Sequence, residues 1–158
     1  MSSATKKPNP SLLEKHADEI RKALRIDKQN EVFRVAVEAG YLAALADGKV
    51  DDKEREAIVA AVRLLSAGAV IEWEVEAIVD EAQAHIDKDG KEARAKAVGA
   101  ELGKLGQPEA GLLFAAAVAQ ATGGIDGAEK KMLETIAEAA GLKKGAVSPL
   151  LRKAGAAL

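Results

Sequence analysis

The sequence predicts an all-α fold, a compact bundle of about seven to eight helices that includes two related helical hairpins. Apolar residues recur every three to four positions along most of the 158-residue chain, and no stretch keeps the two-residue alternation of a strand. Hydrophobic residues make up 48% of the chain but aromatic residues only 3%, and such a core suits closely packed helices better than a β-sandwich. The third observation is an internal repeat: the segment that starts at Gly48 is similar in sequence to the segment that starts at Gly123, 75 positions later.

The first helices can be assigned from turn residues and apolar spacing. Residues 1–10 have the composition of a disordered tail, and we expect one domain over residues 11–158. A first helix starts near residue 11. A second covers residues 27–46 and ends before Gly48, a candidate left-handed residue after the helix.

The remaining helices follow from capping residues and breakers. A third helix starts after Val50, where Asp51 can cap it and Glu54 is the reciprocal capping-box partner. A fourth helix carries an apolar stripe that ends at Ile86 and is followed by a turn at residues 87–90. The later helices are predicted at residues 91–104, 109–122, 126–140 and 146–154.

The internal repeat relates residues 33–65 to residues 108–140. Each copy has an apolar helix, a glycine turn, an apolar residue, the pattern Asp-x-x-Glu and an amphipathic helix. The copies are unequal, because Thr122 stands at the position of Asp47 and Gly127 at that of Asp52. Two related hairpins in one chain predict a pseudo-symmetric bundle.

Two segments of the chain resemble the A-D-G-x-hydrophobic-D-x-x-E signature of the tellurite-resistance TerB-like family. They are Ala46-Asp47-Gly48-Lys49-Val50-Asp51-Asp52-Lys53-Glu54 and Ala121-Thr122-Gly123-Gly124-Ile125-Asp126-Gly127-Ala128-Glu129. The turn at residues 86–90 and the helix stop at residues 106–108 also sit where such domains have them. The resemblance covers about residues 31–142.

This resemblance implies an all-helical binding module of a family that is not known as an enzyme class. Members are associated with tellurite resistance and broader stress responses, and the acidic residues of these turns have been interpreted as a metal-binding surface. The implied partners are other proteins, with membrane-associated stress-response components among them. The departure at Thr122 weakens a metal role for the second copy.

The acidic residues of the two turns have two interpretations. Carboxylates crowded at a turn can bind Ca²⁺ or another divalent cation, because hard cations need several oxygen ligands at short range. The alternative is that they only cap helices, whose N-termini favour negative charge. The spacing excludes a standard EF-hand, since Lys49 and Ile58 fall where ligands are required. The candidate metal ligands are Asp47, Asp51, Asp52, Glu54, Asp126 and Glu129.

Catalysis has little support in the sequence. The two histidines, His16 and His85, belong to no recognisable triad or two-His-carboxylate pattern, and we expect His85 to be partly exposed at a helix end. The absence of cysteine removes thiolate chemistry, and no phosphate-binding glycine loop is present. We therefore expect no enzymatic activity and no organic cofactor.

Composition also restricts the partners and the location. A net charge of −2 argues against a general nucleic-acid binder. No signal peptide is visible and the longest apolar run, residues 110–119, is too short to span a bilayer, so we expect a cytoplasmic protein without a membrane span. We expect Tyr41 and Phe114 in the core, whereas Trp73 is either packed on a second helix or exposed as a partner anchor.

Two hypotheses follow for the function. The first is a TerB-like binding protein in tellurite, metal or general stress response, with a cation site around residues 47–54. The second is a metal-independent scaffold or adaptor whose acidic residues only cap helices. The first predicts that divalent cations raise the melting temperature, and the second predicts no such effect.

Overall fold

The computed structural model describes residues 30–46, 48–65, 72–122 and 125–154, with only the backbone described at Asn30, Glu72 and Trp73. Within these ranges the chain is all-helical, which confirms the predicted fold class. The helices are α1 (Asn30–Leu45), α2 (Asp52–Leu65), α3 (Glu72–Asp89), α4 (Lys91–Lys104), α5 (Pro108–Gln120), α6 (Gly127–Ala139) and α7 (Val147–Lys153). The predictions for the first helix, His16, Asp47 and the Trp73 side chain lie outside the described residues.

The core is built around α1 and α5. Every residue from 36 to 45 in α1 and from 111 to 120 in α5 is buried. The two helices come close at Gly40, where an added Cβ would lie 2.9 Å from the Cβ of Val118. Phe33 and Phe114 meet edge to face with ring centroids 5.5 Å apart. The predicted core positions of Tyr41 and Phe114 are confirmed.

The helices of both predicted hairpins are present, α1 and α2 for the first and α5 and α6 for the second. Helix α5 packs against α6, but α1 packs mainly against α5, α4, α6 and α3 rather than against α2. The second helix of each hairpin starts at an aspartate followed three residues later by a glutamate, as the sequence pattern requires. Helix α4 packs against α6 through Gly99 and Gly103, whose missing side chains let the backbones approach. Helix α4 also packs against α1, and α2 packs against α3 and α5.

Most helix ends agree with the sequence analysis, and one differs. The predicted turn at residues 87–90 is wrong for its first three positions, because α3 continues to Asp89. The Gln83 amide donates to the Asp87 carboxylate over 2.8 Å, one helical turn away, which supports the helical conformation there. The reversal is made at Gly90 alone, whose φ of 90° suits glycine.

Helices α4 and α6 end in the same way. Gly106 and Gly141 have φ values of 76° and 86°, and each lies one position beyond the residue that caps the helix. The next residue in each case, Gln107 or Leu142, donates its backbone N–H to a carbonyl five residues earlier. This is the Schellman arrangement, and it satisfies carbonyls that the helix leaves without partners. None of the helices in the described ranges has the length and apolar character needed to cross a membrane.

Candidate functional site

The first acidic turn forms a complete capping box. The Glu54 backbone N–H donates to Asp51 Oδ1 over 2.7 Å, and the Asp51 N–H donates to Glu54 Oε1 over 3.1 Å. Each carboxylate thus uses one oxygen to satisfy a backbone donor that α2 would otherwise leave unpaired. Asp52 follows as the first residue of the helix and is exposed.

A lysine from α4 occupies the carbonyl side of the same turn. The Lys91 ammonium donates to the carbonyl oxygen of Leu45 over 2.7 Å and to that of Gly48 over 3.2 Å. These carbonyls lie at and just beyond the C-terminus of α1, where the helix dipole favours a positive charge. Two backbone carbonyl oxygens of this turn are therefore already bound to an internal cation.

The second acidic turn repeats the capping box in a more buried setting. The Glu129 N–H donates to Asp126 Oδ1 over 2.9 Å, and the Asp126 N–H donates to Glu129 Oε1 over 3.1 Å. Glu129 is fully buried, and so is Thr122, whose hydroxyl donates to the carbonyl oxygen of Ala119. Thr122 therefore satisfies a carbonyl oxygen near the C-terminus of α5, and in the sequence repeat it corresponds to Asp47 of the first copy.

The structure places the five candidate metal ligands that it describes in two separate turns. Asp51, Asp52 and Glu54 lie at the start of α2, whereas Asp126 and Glu129 lie at the start of α6. No three His, Asp or Glu side chains in the described ranges, which leave out Asp47, are grouped so that they could hold a metal ion. Both pairs that the structure brings together are capping pairs.

A different constellation lies in a cleft between α1, α3 and α4. The cleft has a volume of about 340 Å³, near the lower end of the range for small-ligand sites. Its apolar floor is formed by Val35, Ile78, Ala82 and Val98. The sequence analysis did not predict this cleft.

A buried carboxylate stands at one end of the cleft. Glu38 is only 6% exposed. It accepts hydrogen bonds from Arg94 Nε over 2.7 Å and from Arg94 Nη2 over 2.9 Å, a two-point ion pair. His85 Nδ1 lies 3.1 Å from Glu38 Oε1. Because the carboxylate already accepts from the guanidinium, Nδ1 is the donor in this contact, and a neutral His85 ring keeps Nε2 as an acceptor.

The same ion pair controls the charge of Arg94. Its hydrogen bonds to Glu38 raise the pKa of the Arg94 guanidinium above its ordinary value, although burial acts in the opposite direction. Asp89 adds a weaker favourable contact at 3.8 Å. Arg94 is therefore a fixed positive charge that lets a carboxylate exist inside the bundle.

The rim of the cleft carries a second ion pair and two further acids. Arg34 Nη1 contacts Glu81 Oε1 at 3.3 Å, and both side chains are about half exposed. Such an exposed pair contributes little stability. Glu31 and Glu101 face the other end of the cleft, and no ion pair joins either of them to another described residue.

A polar chain joins α1 to α3 beside the cleft. The Tyr41 hydroxyl donates a short hydrogen bond to Gln83 Oε1, and Gln83 in turn donates to Asp87. Burial raises the pKa of the Tyr41 phenol, the nearby Arg55 partly opposes this, and Asp87 and Asp80 add to it. The phenol is thus held protonated in the folded chain.

We expect Tyr41 to ionise at a higher pH in the folded chain than in the unfolded chain. The raised pKa means that this group's contribution to stability is complete below the ordinary tyrosine pKa of about 10 and is lost as pH rises further. Because Tyr41 is the only tyrosine, the phenolate absorbance reports it alone. Tyr41→Phe should remove the signal and cost about 1 kcal/mol at neutral pH through the lost hydrogen bond. Ionisation of the folded chain at or below the pH of the unfolded chain would contradict this prediction.

Sequence reasoning found the acidic turns and missed the cleft. His85 was expected to be partly exposed near a helix end, and its side chain is 42% exposed, but its contact with Glu38 was not predicted. Glu38 and Arg94 were not singled out at all. The available signal was the isolated acid in the apolar run of α1, since a buried carboxylate requires a partner. The sequence gives no indication that the partner is Arg94.

Comparison of the chain with protein-family models, with curated proteins and with solved structures found no significant match. The resemblance to TerB-like domains therefore stays a prediction from the two turn motifs.

Proposed function

We propose that this chain is a non-enzymatic binding module that acts without a metal ion, and that its acidic turn residues serve to cap helices. The observation that carries the proposal is that both Asp-x-x-Glu pairs form reciprocal capping boxes. In the cell we propose the role implied by the TerB-like resemblance: a cytoplasmic protein that binds other proteins in tellurite, metal or general stress response. Membrane-associated stress-response components are included among the proposed partners.

The capping geometry competes with metal binding for the same atoms. A Ca²⁺ ion takes six to eight oxygen ligands, and a turn must supply most of them at once. In the first turn Asp51 Oδ1 and Glu54 Oε1 accept backbone N–H groups. The carbonyls of Leu45 and Gly48 accept from Lys91. The Lys91 ammonium also repels a second cation near this position.

A divalent cation at the first turn is the second candidate function. The observation in its favour is that Asp52 is exposed beside Asp51, so that two carboxylates face solvent at the start of α2. Such a site would be open and would bind weakly. The two candidates make opposite predictions for the response of the native chain and its Asp51 and Asp52 variants to divalent cations.

We expect Asp51→Asn to be nearly as stable as the native chain and Asp51→Ala to lose about 1 kcal/mol. Asparagine caps a helix about as well as aspartate, whereas alanine cannot accept the hydrogen bond. Millimolar Ca²⁺, Mg²⁺ or Mn²⁺ should leave the melting temperature of all three chains unchanged. Thermal unfolding and calorimetric titration provide the measurements.

The cation hypothesis predicts a different result from the same experiment. A ligand that binds only the folded state raises stability in proportion to the logarithm of its concentration. Saturable binding that is lost in both Asp51→Asn and Asp52→Asn, but kept in Glu109→Gln on the exposed start of α5, would overturn the metal-free proposal. The cellular role is tested separately: cells lacking the protein should become tellurite-sensitive, and Asp52→Asn should restore growth as well as the native chain does.

A further inference from the structure

We propose that the cleft between α1, α3 and α4 binds a lysine side chain of a partner protein. This inference rests on the proposed function, because it names the site and the chemistry by which the module would recognise its partner. The shape of the cleft, its charge and the unused hydrogen-bonding capacity of its lining support the proposal.

The cleft is elongated along the helix axes. Arg34 pairs with Glu81 and Glu38 with His85, so α3 runs parallel to α1 with a constant offset. Arg94 contacts Glu38 while Lys91 contacts Leu45, so α4 runs antiparallel to α1. Glu38 and Glu31 are two turns apart on α1, which separates the two ends of the cleft by about 10 Å.

The charge of the lining favours a cation. Four carboxylates and two guanidinium groups line the cleft, which leaves a net charge of −2 with a neutral His85. Both arginines are already paired, Arg94 with Glu38 and Arg34 with Glu81. The other two carboxylates, Glu31 on α1 and Glu101 on α4, form no ion pair with a described residue and carry the excess negative charge.

Hydrogen-bond acceptors remain available at both ends of the cleft. The Glu31 and Glu101 carboxylates accept at one end, and the Nε2 of a neutral His85 accepts at the other. Between them the floor is apolar, with Ala82 and Val98 buried. A fitting ligand has a donor at each end and an aliphatic middle of a few carbon atoms.

A lysine residue in an extended partner segment has this arrangement. Its ammonium offers three donors to Glu31 and Glu101, its four-carbon stem covers the apolar floor, and its backbone N–H reaches towards His85 Nε2. Glutamate would meet repulsion at the same place, and norleucine would leave both carboxylates without a partner. The two-point pair of Arg94 with Glu38 keeps that end of the cleft rigid, which lowers the ordering cost of binding.

The test uses the full chain and short blocked peptides. Isothermal titration or NMR titration compares acetyl-Gly-Lys-Gly-amide with the same peptide carrying norleucine, Nε-acetyl-lysine or glutamate in place of lysine. We expect saturable binding of the lysine peptide and binding weaker by about tenfold or more for each of the others. Equal binding of the acetyl-lysine peptide, or no binding of the lysine peptide, would overturn the proposal.

Variants locate the binding in the cleft. Glu31→Gln combined with Glu101→Gln should lower the affinity for the lysine peptide by about tenfold. Ala97→Trp places a large side chain at an exposed position of the cleft lining and should prevent binding. The matched control is Glu56→Gln combined with Glu109→Gln, which makes the same charge change at exposed sites outside the cleft and should leave binding unchanged. Equal losses in both double variants would mean non-specific attraction and would overturn the assignment.

A small free amine is the alternative ligand, because it offers the cleft the same ammonium group as a lysine side chain. If 1,5-diaminopentane binds in the cleft and the lysine peptide does not, the inference of a protein partner is wrong. The outcome is also independent of the metal-free proposal. A cation effect at Asp51 and Asp52 would overturn that proposal without changing the peptide result, and failed peptide binding would leave the cation result unchanged.

Discussion

Gly99→Ala should be among the most destabilising single substitutions in this chain, although it adds only one methyl group. An ideal Cβ at Gly99 would lie 2.3 Å from the carbonyl oxygen of Ile136 and 2.6 Å from the Cβ of Ala139. The first of these atoms is backbone, so α6 as a whole would have to move away from α4. Overpacking a tight core commonly costs 1–3 kcal/mol, and we expect a loss of about 3 kcal/mol. Thermal unfolding should show a melting temperature lower by roughly 6–12 °C.

Gly127→Ala is the matched control for this prediction. Gly127 is also helical, at the first position of α6, but an added Cβ would find nothing within 4 Å. Alanine should raise stability there by about 0.4–1 kcal/mol, because it restricts the unfolded chain more than glycine does. If Gly99→Ala were as harmless as Gly127→Ala, the close packing of α4 on α6 would be wrong.

The contrast between these glycines shows what the sequence could predict of the fold. Helix ends and caps follow from residues a few positions apart, and the bounds predicted for residues 91–104 agree with α4. The capping boxes at Asp51 and Asp126 were predicted for the same reason. The role of Gly99 depends on Ile136 from another helix, and apolar spacing within α4 gives no sign of it.

The candidate site divides in the same way. Its local part, the acidic turns, was visible in the sequence, whereas the use of the turn carbonyls depends on an atom distant in sequence. Lys91 reaches back to Leu45 and Gly48, and this contact decides how the turn carbonyls are used. Glu38, His85 and Arg94 come from three helices, so the cleft could be found only in the folded chain.

Arg94→Met should cost about 2–3 kcal/mol, the second large effect expected in this chain. The substitution keeps an unbranched apolar stem but removes the guanidinium, and it leaves the buried Glu38 carboxylate with only its contact to His85. Removing one partner of a fully buried ion pair costs about 3–5 kcal/mol. The expected value is lower because the Arg94 side chain is 20% exposed and water can partly replace it. Denaturant unfolding at neutral pH measures the difference.

Arg94→Lys separates charge from geometry at the same position. Lysine keeps the positive charge but cannot donate two parallel hydrogen bonds to one carboxylate. We expect about half of the loss seen with methionine. A lysine variant as stable as the native chain would show that the two-point contact with Glu38 contributes nothing beyond the charge.

The combined change Glu38→Leu with Arg94→Met tests why the pair is present at all. When both charges are removed, no buried carboxylate is left, and an apolar pair of similar volume is often as stable as the ion pair or more stable. We therefore expect the double variant to recover most of the stability that Arg94→Met loses. A double variant that stays as unstable as Arg94→Met would mean that Glu38 is held by contacts other than Arg94. Recovery of stability would show that the bundle does not need the ion pair for its stability, because an apolar pair would stabilise it equally well.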